Sequence, residues 1–136
     1  METWTRIVEH VTTRFPHAVR ECDEALRFVA VLDGRRVGLR LRSMTAYGVR
    51  VAMITADLGA MDSLDPWTSL VLNAQLAAGS LAIVNQTLVL RALLDAAATD
   101  DEIDRCLTLV TREATTLKTS LSLPRRAAAG FDCFCD

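Results

Sequence analysis

Two histidines, four cysteines, a run of acids and a set of strand arginines are the residues in this chain whose chemistry could be put to use. His10 and His17 could serve as a general base or a ligand pair. No carboxylate, Cys or Ser stands at motif spacing from either, so they read as solvated imidazoles. Asp100, Asp101, Glu102 and Asp104 could hold a cation, but the D-x-D-x-D-G loop of an EF-hand is absent. Thr99 and Glu102 bracket the run as a capping box, which assigns these acids to the start of a helix. Cys22 and Cys106 stand alone, and Cys133 and Cys135 lie at the end of the sequence. No C-x-x-C pair or Cys/His spacing suits zinc, so two partly buried thiols and a loose tail are expected, with no metal. Arg36, Arg40, Arg42 and Arg50 form a basic strand face. No aromatic residue interleaves with them, and a solvated face paired to neighbouring Glu or Asp is the expectation. With no catalytic constellation and no cofactor motif, the sequence points to a non-enzymatic binding module.

Composition bounds the partners. The 136 residues suffice for one domain with a real core, and 51% hydrophobic content excludes disorder for most of the chain. Aromatic content is only 5%, so that core must be built from Leu, Val, Ile and Ala. A formal net charge of -2 argues against nucleic acid. No apolar run approaches the roughly 20 residues of a membrane span, and METWTRIVEHV lacks the apolar segment of a signal peptide. A cytoplasmic protein with no membrane partner is expected. Residues 1–123 read as a single α+β domain and 124–136 as a flexible tail.

The elements that would position any site follow from periodicity. Trp4, Ile7, Val8, Val11 and Phe15 recur at helical spacing, and Pro16 stops that helix. His17 to Glu24 reads as a polar connector. Leu26 to Leu32 and Arg36 to Arg42 read as strands joined by Asp33-Gly34, whose two positions tolerate positive φ. A third strand spans Tyr47 to Thr55, followed by a connection containing Gly59. Asp65-Pro66 opens a second helix that Gly79 closes as a left-handed cap. Leu81 to Val84 and Thr87 to Leu94 form a second hairpin about Asn85-Gln86. Both of its faces are apolar, so it is expected to be covered on both, one side by helices and the other by a second copy or a client. The last helix starts at Thr99 and ends before Pro124, with Ile103, Leu107, Val110, Ala114, Leu117 and Leu121 inward. The order α-β-β-β-α-β-β-α gives an antiparallel sheet with helices on a face.

That order, together with residues 69–95, SLVLNAQLAAGSLAIVNQTLVLRALLD, resembles the type III secretion chaperone fold. That fold is shared by CesT-like chaperones and YbjN-like sensory-transduction regulators. Leu70 and Asn73 stand where the family's L-x-x-N segment has its Leu and Asn. The resemblance implies a homodimer built partly through the second helix and adjoining strands, with Trp67, Leu70, Asn73, Ala74, Ile83 and Leu90 at the interface. It also implies that apolar residues of the first helix and the sheet hold an extended segment of a client protein. Trp4, Val8, Val11, Phe28, Val37 and Leu39 are the candidates. A YbjN-like regulator binding a signalling protein is the alternative. Asn73, in an otherwise apolar helix, needs a partner: hairpin backbone or the register of a dimer.

Overall fold

The structure, a computed structural model, describes residues 2–60, 73, 76 and 79–121. Helix α1 (Glu2–Arg14) leads into strands β1 (Val19–Cys22), β2 (Ala25–Leu32), β3 (Arg35–Ala46) and β4 (Val49–Ala60). A second hairpin, β5 (Ser80–Val84) and β6 (Thr87–Asp95), and helix α2 (Asp100–Leu121) complete the described chain. The sheet is antiparallel with order β1-β2-β3-β4-β6-β5, an α+β fold. The expected helix after Asp65 and the expected tail lie outside the described residues, except for Asn73, which is helical, and Leu76.

Three two-residue turns set the register. Asp33-Gly34, Tyr47-Gly48 and Asn85-Gln86 all have positive φ at both positions, the backbone that matches strand twist. Tyr47 is thus a turn residue and not the first residue of a strand, and it is fully exposed. Two further differences from the sequence reading concern strands. The stretch read as a polar connector contains β1, a short edge strand whose charges, Arg20 and Glu21, hid its period. The connection containing Gly59 is the end of β4, carried on by a bulge between Asp57 and Gly59. Asp57 Oδ1 accepts the Gly59 N–H at 3.0 Å, and Gly59 has φ 129°.

One sheet face carries the core. Leu26, Phe28 and Ala30 of β2 lie in register with Leu41, Leu39 and Val37 of β3, and Ile54 and Ala56 of β4 continue the rows to Ala92 and Leu90 of β6. Against these pack Trp4, Ile7, Val8 and Val11 of α1 and Ile103, Leu107, Val110, Ala114 and Leu117 of α2. Helix α1 ends where Pro16 forbids another turn; the Phe15 N–H still reaches Val11 O at 2.7 Å. Helix α2 opens on Thr99, whose Oγ1 accepts the Glu102 N–H at 3.2 Å, one arm of the expected capping box.

Candidate partner-binding surface

The six residues expected to face a client are placed inside. Trp4, Val8, Val11, Phe28, Val37 and Leu39 are all buried in the core of the single chain, and Trp4 Nε1 donates to Asp23 O at 2.8 Å. They hold α1 to the sheet and are not on a surface. The expected dimer residues divide. Trp67, Leu70 and Ala74 lie outside the described residues. Leu90 is fully buried in the core, whereas Ile83 is 56% exposed on the edge strand β5. Residues Thr87 to Leu90 are buried on both faces of β6 within one chain, so the hairpin needs no second copy there, and β5 is only half covered. Asn73 Oδ1 accepts the Leu81 N–H at 2.6 Å, which answers the question the sequence left open: it is bound to hairpin backbone. In a two-residue hairpin the Val84–Thr87 pair bonds inward, so Leu81 and Ile83 turn their N–H and C=O outward. Asn73 therefore caps the sheet edge.

His17 does the same at the other edge. Strand β1 pairs with β2 only as far as Arg27, and beyond it the His17 Nε2 lies 3.0 Å from both the N–H and the C=O of Val29. It can serve one of them at a time, according to its tautomer. His10 lies instead in a ladder between helices. Its Nε2 is 2.8 Å from Asp104 Oδ1 and its Nδ1 is 3.6 Å from Asp100. Arg14 meets Asp104 at 2.7 Å and Arg6 meets Asp100 at 3.0 Å. Burial alone would raise the Asp104 pKa, but the hydrogen bonds and charges of His10 and Arg14 outweigh it and hold the carboxyl below its ordinary 3.8. Neither histidine is hydrogen-bonded to a Ser, Thr or Cys side chain among the described residues: His10 meets Asp104 and His17 meets the backbone of Val29.

The sheet face turned away from α1 and α2 is different in kind. Arg27, Arg40, Thr55 and Arg91 lie opposite one another across β2, β3, β4 and β6. Arg40 is 1% exposed and paired to Glu21, Nε to Oε1 at 2.7 Å and Nη2 to Oε2 at 3.1 Å. Glu21 reaches it because it alternates onto the same face as Val19, which stands opposite Arg27. Arg50, expected on the same face as Arg36, Arg40 and Arg42, stands across from Thr45 on the opposite face, because it alternates with Val49 and Val51, and it pairs with Glu24 at 3.3 Å. The expected pairing of strand arginines to neighbouring acids thus holds for these two, though Arg40 is buried and not solvated. On the same far face, Val31 is 64%, Val49 58% and Leu93 60% exposed. Sequence reasoning passed over these three because alternation tells which residues share a face, not which face is covered. Their signal was present: β2 carries Val29 and Val31 on the face opposite Leu26 and Phe28, and β4 carries Val49 and Val51 on the face opposite Ala52 and Ile54.

No catalytic chemistry assembles among the described residues. A cleft of about 560 Å³ between the β2–β3 turn and the end of α2 is lined by Arg35, Val37, Thr115 and Lys118 among others, with no carboxylate or imidazole. Arg35 spans it by donating to Thr119 Oγ1. No group of three metal-ligating side chains occurs among the described residues, and no described helix is long and apolar enough to cross a membrane. Cys106 is a half-buried free thiol whose pKa burial pushes up, so it is a poor nucleophile. Cys22 is disulfide-bonded, which differs from the second free thiol expected.

With this geometry in view, comparison with solved structures places the fold. A chain of the heterodimeric ExoU-SpcU complex from the type III secretion system of Pseudomonas aeruginosa superposes with a TM-score of 0.54. The match covers 74% of this chain and 85% of that one at 19% identity. The fold is type III secretion chaperone-like. No protein-family model and no curated protein matches the sequence.

Proposed function

We propose that this protein is a non-enzymatic, cytoplasmic binding module. It holds an extended segment of a partner polypeptide, as a secretion chaperone holds its client, and works as a homodimer. One observation carries the reading: the far face of the sheet leaves Val31, Val49 and Leu93 more than half exposed on a rigid scaffold. Large apolar side chains presented on a regular sheet suit an extended chain, which can set alternate side chains against them without folding first. The fold shared with a component of a heterodimeric secretion complex supports the same direction. The homodimer is drawn through the edge at Ile83, whose apolar side chain faces solvent on an uncharged strand, SLAIV.

Co-purification of the tagged protein from its own cells, followed by limited proteolysis, tests the reading. One dominant partner with a short protected segment is the expected result. A partner bound only through a folded domain, with no protected segment, would overturn it.

A further inference from the structure

On the far face, Gly38 of β3 stands opposite Val29 of β2. A glycine inside a strand is destabilising relative to alanine, so its presence calls for a reason. The usual reasons fail. Its φ is not positive, it lies at no bulge, and a Cβ added there would meet nothing within 4 Å. Nothing in the described chain needs the missing side chain. The remaining reason is close approach by something else.

The surroundings say what. The row on one side of Val29 and Gly38 contains Arg27, opposite Arg40; the row on the other pairs Val31 with Arg36. Arg40 has Glu21, but exposed Arg27 and Arg36 have no ion-pair or hydrogen-bond partner among the described residues. The result is a shallow trough floored by Gly38, walled by Val29 and exposed Val31, with an uncompensated guanidinium at each end. The two arginine positions lie four residues apart along the strands, about 13 Å.

We infer that this trough takes an extended acidic peptide segment of the partner, of pattern Asp/Glu–x–apolar–x–Asp/Glu. The central apolar side chain lies over Gly38, and the carboxylates meet Arg27 and Arg36. In an extended chain, residues two apart share a face and residues four apart are again about 13 Å apart, so one segment meets all three points. The inference rests on the proposed client-holding role and gives that role a sequence preference.

The probe is a fluorescein-labelled peptide containing Asp-Ala-Leu-Ala-Asp, read by anisotropy at low salt against Lys-Ala-Leu-Ala-Lys and Asp-Ala-Gly-Ala-Asp. The acidic leucine peptide should bind, and both controls should bind at least about tenfold more weakly. Gly38→Val fills the trough with a strand-favouring side chain. It should weaken binding about tenfold while leaving the melting temperature unchanged or raised. Arg27→Glu with Arg36→Glu should switch preference to the lysine peptide. Binding indifferent to Gly38→Val, or absent in the wild type, overturns the trough. If the full protein still protects a client segment in that case, the client-holding role stands without it. Equal binding of the two acidic peptides would reduce the site to a nonspecific anion patch and likewise overturn the proposal.

Discussion

The buried pair of Arg40 and Glu21 is the most exacting contact in the described chain. A guanidinium 1% exposed needs its charge compensated, and the Glu21 carboxylate lies within 2.7 Å and 3.1 Å of two of its nitrogens. Its energetic role follows from desolvation: truncating one partner strands the other in low dielectric, whereas replacing both can cost little. Glu21→Ala should therefore destabilise the fold by about 3 kcal/mol in urea unfolding, and Glu21→Leu with Arg40→Met should recover most of the loss. A double variant as unstable as the single would show that the pair is not the cause. Gly79 is demanding in another way. At φ 74° it passes so close to β6 that a Cβ would lie 2.1 Å from Arg91 O, so only glycine fits where the chain enters β5.

At the scale of elements, helix packing here combines an apolar stripe with a charged margin. Arg6, His10 and Arg14 recur every four residues on α1 and meet Asp100 and Asp104, four apart on α2. Because the Asp104 pKa is depressed in the fold, its contribution is fully present above the ordinary carboxylate value of 3.8 and is lost as the pH falls through the lowered one. Asp104→Asn should cost about 0.5 kcal/mol at neutral pH, a small value because the side chain is more than a third exposed. The difference from wild type should vanish in strong acid; a constant difference would mean packing and not charge. Strand β5 offers a cleaner test of assembly. Ile83 is 56% exposed in the single chain, so Ile83→Asp should change the monomer's stability by no more than about 0.5 kcal/mol. It should dissociate the proposed homodimer in sedimentation analysis. Loss of the folded monomer instead would contradict the exposed placement of Ile83.

For the whole molecule, the division of labour is between two sheet faces. One is sealed by α1 and α2 over a core of small aliphatic residues, as the low aromatic content required. The other mixes exposed valines and leucine with arginines, and it is the face on which the proposed partner would lie. The bounds of α1 and α2, the hairpins at Asp33-Gly34 and Asn85-Gln86, the sharing of faces within β2, β3, β4 and β6 and the α+β class were all legible in the sequence. Each depends on local rules: a proline that cannot donate, turn residues that accept positive φ, side chains that alternate with period two. What the sequence could not decide was which of two apolar faces the helices would cover, or that Glu21 would meet Arg40 two strands away. It could not show that Phe28, Val37 and Leu39 serve the core while Val31 and Gly38 face outward. Those outcomes depend on contacts between residues far apart in the chain. Periodicity groups side chains by face, and only tertiary packing chooses the face that is buried.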